Sequence, residues 1–284
     1  GRNAAGNITT GIENTAVGSY TLDALTTSSN NTAVGYGVLT ATTSGTSLSA
    51  VGTNALANNT TGDYNTAMGT GCMEANTTGS NNTAMGYLAL DNNTTASNNT
   101  AFGYKALDAN TTGTSNTAVG TFALDANTTA DYNTGVGYNA LTANTTGHSL
   151  CSFGTYALQS NTTGDSNSAF GRSALQNNTT GYENVAIGKD ALKVNTEGFV
   201  NVAIGAETLD ANTTADANTG FQVDDASTPL VNEGEIINFT GTGFTANLDS
   251  ITALDANQIF EFKENVLNLS LIHISEPTRL RRIS

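Results

Sequence analysis

Two apolar positions recur along this chain at a fixed step of 17 residues, and the residues between them are mostly small or polar. The first apolar column runs Val17, Val34, Val51, Met68, Met85, Phe102, Val119, Val136, Phe153, Phe170, Ile187, Ile204 and Phe221. The second is almost all leucine: Leu22, Leu39, Leu56, Met73, Leu90, Leu107, Leu124, Leu141, Leu158, Leu175, Leu192 and Leu209. A glycine follows each member of the first column as far as Gly205, and the ladder stops at Gln222. No step carries an insertion or deletion. A fixed short period of this kind is the signature of a stacked-repeat architecture.

A well-preserved repeat reads Asn133-Thr-Gly-Val-Gly-Tyr-Asn-Ala-Leu-Thr-Ala-Asn-Thr-Thr-Gly147. Seventeen residues are too few for a helical-pair repeat or a βαβ unit. They suit one coil of a parallel β-solenoid, in which strand-forming Val, Phe, Tyr and Thr alternate with turn-forming Asn, Gly and Asp. The expected strands are the Asn-Thr-Ala-Val-Gly and Ala-Leu-x-Ala segments, and Asn-Thr-Thr-Gly is the expected turn, its glycine free to take positive φ. The reading is all-β: thirteen coils over residues 1–222, a rod roughly 60 Å long at strand spacing.

Structural ladders follow from the columns. They comprise the glycines Gly69, Gly86, Gly103, Gly120 and Gly137; the leucines Leu90, Leu107, Leu124 and Leu141; Asn110, Asn127 and Asn144; and Thr111, Thr128 and Thr145. Asn runs unbroken from Asn59 to Asn212, and stacked amides can bond along such a ladder. Side chains alternate across a strand. In Thr66-Ala67-Met68-Gly69, Ala67 and Gly69 then share one face and Thr66 and Met68 the other; Ala106 and Leu107 are expected to oppose each other. Strands apolar on both faces are usually buried on both. Two arrangements remain open: a rod of several chains, or a monomeric solenoid whose face parity resets at the glycine.

Asn184-Val-Ala-Ile-Gly188 and Asn201-Val-Ala-Ile-Gly205 resemble the core motif of trimeric autotransporter adhesin heads. The fuller form, Asn-Thr-Ala-Val-Gly-Tyr-x-Ala-Leu-x-x-Asn-Thr-Thr-Gly, is still more similar to repeats of phage tail-fibre proteins and related bacterial surface proteins. The adhesin repeat is typically 14 residues, so the Asn-Thr-Thr-Gly turn looks like an insertion. The resemblance implies a left-handed β-roll wound as a homotrimer. It also implies an extracellular setting, on a virion tail fibre or a bacterial surface, and attachment to a cell-surface glycan or protein receptor.

Residues 223–268 break the pattern. Asp224-Asp-Ala-Ser-Thr-Pro229 reads as a linker, and Glu235 to Leu248 as strand, turn, strand. This region is expected to be a β-rich cap or the start of a next fibre module. Residues 269–284 resemble the in-frame translation of a sequencing adapter, a non-native segment on a fragment of a longer protein. The formal net charge is −15. Without that segment, which holds three Arg and one Glu, it is −17. So acidic a chain is ill suited to holding nucleic acid through phosphate contacts. No run of 18 apolar residues offers a membrane span.

The residues offer no catalytic constellation, and the chain reads as a non-enzyme with no implied cofactor. His148 lies three residues before Cys151 without an evident orienting acid. Cys72 and Cys151 are about five coils apart, roughly 20 Å and beyond disulfide reach. Glu74, Asp91, Asp108 and Asp125 share one column, a candidate acidic ladder for a cation, although a solvated stripe is the plainer reading. The Asn-Thr-Thr sequons read as turn chemistry. Tyr87, Tyr104 and Tyr138 directly follow ladder glycines and form a candidate receptor surface, or an edge packed between chains. The function reading is a structural and adhesive fibre segment. The alternative is an ice- or crystal-binding solenoid that uses the Thr and Asn ladders.

Overall fold

The computed structural model describes residues 1–221, so the readings made for 223–268 and 269–284 lie outside the described residues. The described chain is a parallel β-solenoid. Thirteen three-residue strands, from β1 (Thr15–Val17) to β13 (Thr219–Phe221), form one sheet in sequence order. Every pairing is parallel and in register, as in Thr15 with Thr32, Ala16 with Ala33 and Val17 with Val34. Among the described residues there is no helix, and so none long and apolar enough to cross a membrane.

Every strand but β13 ends at a ladder glycine, Gly18 to Gly205, with φ between 120° and 144°. A Cβ at Gly69 would sit 2.3 Å from the Gly86 carbonyl oxygen, so glycine is required both for conformation and for the close approach of the next coil. The coil then turns through two further left-handed residues, two and four positions after the glycine, for example Lys105 (φ 53°) and Leu107 (φ 54°).

This corrects the expected second strand. Ala-Leu-x-Ala is a turn segment, and Ala106 and Leu107 do not oppose each other, because both are fully buried. A left-handed leucine swings its side chain to the side its alanine neighbour faces. The conformation costs about 1–2 kcal/mol, and burying the leucine returns about 1.5–3 kcal/mol. The segment still bonds between coils: the Leu107 N–H donates to Ala123 at 3.0 Å and the Lys105 N–H to Tyr87 at 3.0 Å.

The Asn-Thr-Thr-Gly turn also differs from expectation. Its glycines are not left-handed; the left-handed residue lies two positions later, as at Tyr64 and Asn81. Ala96 and Ala130 accordingly occupy the glycine column, both buried.

The interior is thin and half polar. It holds the Ala columns, the Leu column and two columns of buried asparagine. In the first, Asn76 Nδ2 donates to Asn59 Oδ1 at 2.8 Å, the first of nine such links up to Asn212. The second proton of each amide goes to the carbonyl three residues on, as Asn110 to Gly113 at 3.0 Å. Each amide is thereby satisfied inside a space that would otherwise penalise it. In the second column Asn99 Oδ1 accepts the Asn116 N–H at 2.9 Å, while its Nδ2 donates to Gly113 at 2.9 Å.

Candidate interaction surface

The outward face of the sheet follows from strand alternation. Within Thr66-Ala67-Met68 the alanine points in and its neighbours point out. The first apolar column therefore lies outside, as an unbroken stripe along the coils. Val17 is 55% exposed, Met68 42% and Phe153 40%, and Phe153 stacks on Phe170 with ring centroids 5.4 Å apart. One flank is the strand's Thr column, and the other is the column just after the glycine. No Asp or Glu occurs in any of these three columns, although the chain holds 24 acidic residues.

The column after the glycine carries exposed Tyr36, Tyr87, Tyr104 and Tyr138. Tyr87 stacks on Tyr104 (5.6 Å, 11°), and Tyr104 meets the edge of Phe122 at 5.2 Å. Glu74, Asp91, Asp108 and Asp125 fall in successive coils of the neighbouring acidic column. Burial, then the charges of Asp108 and Glu74, push the Asp91 carboxyl up to about 6. Burial and the charge of Asp108 raise Asp125 as well. Lys105 Nζ meets Asp108 Oδ2 at 2.9 Å, which relieves the ladder at one rung. Among the described residues no group of three His, Cys, Asp or Glu side chains is placed to hold a metal ion.

Two coils near the other end hold three of the five cations among residues 1–221. Arg172, Lys189 and Lys193 converge on Asp190 at 3.7, 3.3 and 3.1 Å, and Lys189 also reaches Glu207 at 2.8 Å. Burial alone would raise Asp190; hydrogen bonds from Lys193 and Lys189 outweigh it and hold the carboxyl below its ordinary value. These contacts place the positions one, two and five after the glycine on one surface.

The remaining candidates are tied into the coil. His148 Nδ1 accepts the Asp131 N–H at 2.9 Å, and the His148 backbone N–H donates to Asp165 Oδ1 at 2.7 Å, so the residue serves as a rung. Cys151 sits half-buried in β9 (Cys151–Phe153) and Cys72 is buried; both are free, and burial pushes the Cys72 thiol up to about 12. Thr111 Oγ1 donates to the Thr128 carbonyl at 3.0 Å, as Thr128 does to Thr145 and Thr145 to Thr162. Asn110, Asn127 and Asn144, the sequon asparagines of their coils, are fully buried.

Two features escaped sequence reasoning. The second asparagine column was signalled by the Asn preceding nearly every Thr-Ala-apolar element. The absence of acid from three adjacent columns was readable once the columns were grouped by face. Compared with protein-family models, with curated proteins and with solved structures, the chain matches none.

Proposed function

We propose that this chain is a structural and adhesive fibre segment whose outward sheet face is covered by further copies of itself, three in all, with attachment to a cell-surface glycan or protein receptor as its role. The observation that carries the reading is the stripe of thirteen outward apolar residues, free of acid in a strongly acidic chain. Monomeric proteins rarely leave so continuous an apolar strip in water. At roughly 70 Å² a coil, the stripe offers on the order of 900 Å² per chain, the scale of a standard interface. A partner with the same 17-residue step matches every rung. The likeness to adhesin-head and tail-fibre repeats supports the number three and a setting on a virion or bacterial surface.

The ice- or crystal-binding alternative draws less support. Its asparagine amides are buried and bonded to one another, and the first Thr hydroxyls donate to backbone carbonyls. Sedimentation equilibrium tests the main reading: a mass of three chains is expected, and Met85→Asp with Phe102→Asp should release folded single chains. A wild-type monomer at micromolar concentration would overturn it.

A further inference from the structure

The surface formed by the positions one, two and five after the glycine is uneven along the rod, and at the positions one and five its unevenness is self-complementary. Reading the position after the glycine upward gives Tyr87, Tyr104, Thr121, Tyr138, Thr155, Arg172 and Lys189. Turned end for end about Tyr138, the same series sets Tyr87 against Lys189, Tyr104 against Arg172, Thr121 against Thr155, and Tyr138 against itself. The position five after the glycine obeys the same operation: Asp91 faces Lys193, Asp108 faces Gln176, and Asp125 faces Gln159.

We infer that a second copy docks on this surface antiparallel, with a two-fold axis through the coil of Gly137. The occupant follows from charge. Of the five Lys and Arg among residues 1–221, three lie in the coils of Gly171 and Gly188, and the position five after the glycine is acidic in all four coils from Gly69 to Gly120. A parallel, in-register copy would set acid on acid and cation on cation. A reversed copy sets both exposed cations of the first column on tyrosine faces, where cation–π attraction applies, and sets Lys193 on the acid ladder. A shift of one coil either way loses the Tyr104–Arg172 pairing. A closed two-fold contact of this kind uses one patch on both partners. The overlap spans the coils of Gly69 to Gly205, roughly 40 Å. Its one like-charged pair, Glu74 with Asp210, lies at the ends. The contact shares with the apolar stripe only the flanking column after the glycine, and its test reads separately from the mass of the trimer. It gives Tyr87, Tyr104 and Tyr138 a homotypic role in place of a receptor.

Cysteine pairing in the full chain tests it, after Cys72→Ala and Cys151→Thr remove the native thiols. Thr121→Cys chains mixed with Thr155→Cys chains should give a mixed disulfide dimer at 20 mM salt, while either variant alone should give little. In a parallel, in-register assembly these positions are about 10 Å apart along the rod and out of disulfide reach. Lys189→Glu with Lys193→Glu should cut the mixed yield about tenfold, and 0.5 M salt should do the same by screening. A mixed yield no greater than that of the single variants, or one unmoved by salt and charge reversal, overturns the antiparallel contact. Circular dichroism of each variant guards against loss of fold.

Discussion

The first three coils and the ten that follow fill the same interior column in different ways. Coils one to three place Ile8, Leu25 and Thr42 there; from Asn59 to Asn212 every coil places asparagine. Leu25 and Thr42 are as buried as the asparagines, so the space is the same. An apolar spine offers only burial. An amide spine adds directional bonds that hold each coil to the next at the strand spacing. The junction is imperfect: Thr42 Oγ1 is buried without a partner, and Asn59 has no amide beneath it. The amide spine therefore couples its coils strongly to one another, and the N-terminal coils are joined to it mainly by the sheet and the leucine column.

The sharpest way to break this comparison is to put leucine inside the amide spine. Asn127→Leu removes the donations to Asn110 Oδ1 at 3.0 Å and to Ala130, and strands the Asn144 amide above. The Ala130 carbonyl keeps the Asn116 amide, so two buried groups, Asn110 Oδ1 and one Asn144 proton, are left unpartnered at about 1–3 kcal/mol each, against a gain in apolar burial. A net loss of about 3 kcal/mol is expected in chemical denaturation, with unfolding of coils beyond the site detected separately. Leu25→Ala, a truncation in the apolar spine, should leave the ten-coil block intact. If Asn127→Leu costs under about 1 kcal/mol, the two spines are equivalent and the distinction fails.

A second leucine substitution measures how much of that loss belongs to the amide-to-amide link. Asn116 belongs to the other asparagine column, where its Oδ1 accepts the Asn133 N–H and its Nδ2 reaches Ala130 at 2.8 Å. The chain itself places buried Leu48 and Leu150 in that column. Asn116→Leu is therefore expected to cost about 1 kcal/mol, since only one backbone N–H loses its acceptor. A cost equal to that of Asn127→Leu would show that the ladder bonds add nothing beyond satisfying the amides.

How much of this was legible in the sequence depends on symmetry. The period, the parallel sheet and the ladder columns were readable because every coil repeats the same residue in the same place, so Gly137, Leu141 and Asn144 announce their stacks. The local path of the coil was not. Alternation put Ala106 and Leu107 on opposite faces, but it holds only for extended backbone, and Leu107 is left-handed. Leucine carries no composition signal for that conformation; burial imposes it. The glycine of the Asn-Thr-Thr-Gly turn misled in the opposite sense, because a residue permitted positive φ need not use it. The outward stripe was anticipated as a second apolar face, whereas the patch around Tyr138 emerged only when columns could be grouped by their salt bridges.

Extending the amide spine downward probes the junction itself. Thr42→Asn removes the orphaned hydroxyl and supplies an amide that can accept from Asn59 and donate to the Gly45 carbonyl, following the pattern of Asn59 with Gly62. A gain of about 1 kcal/mol is expected. It should appear as slower hydrogen exchange in the coils around Leu39 and Leu56 rather than near Leu192. Unchanged exchange there would mean that the sheet and leucine column already saturate the coupling.

The smallest expected effect separates the two regions by charge. The column five after the glycine holds a lone Asp23 and then Thr40 in the N-terminal coils, whereas four acids, Glu74, Asp91, Asp108 and Asp125, stack in succession within the amide-spine coils. Asp91 titrates near 6 in the fold, above the ordinary carboxylate value of 3.8. A raised folded value means that the charged form is the penalised one. The contribution of Asp91 to stability is therefore most favourable below about pH 4, falls as pH rises from about 4 to 6, and is flat above. Two units would amount to about 3 kcal/mol for a fully desolvated group, but Asp91 is only half-buried, and solvent screening reduces this to about 1 kcal/mol or less. Asp91→Asn should raise the melting temperature at pH 7 and leave it unchanged at pH 4, with the difference vanishing in 1 M salt only in part because burial is its first cause. Equal stabilisation at both values would assign the effect to packing and remove charge from the comparison between the regions.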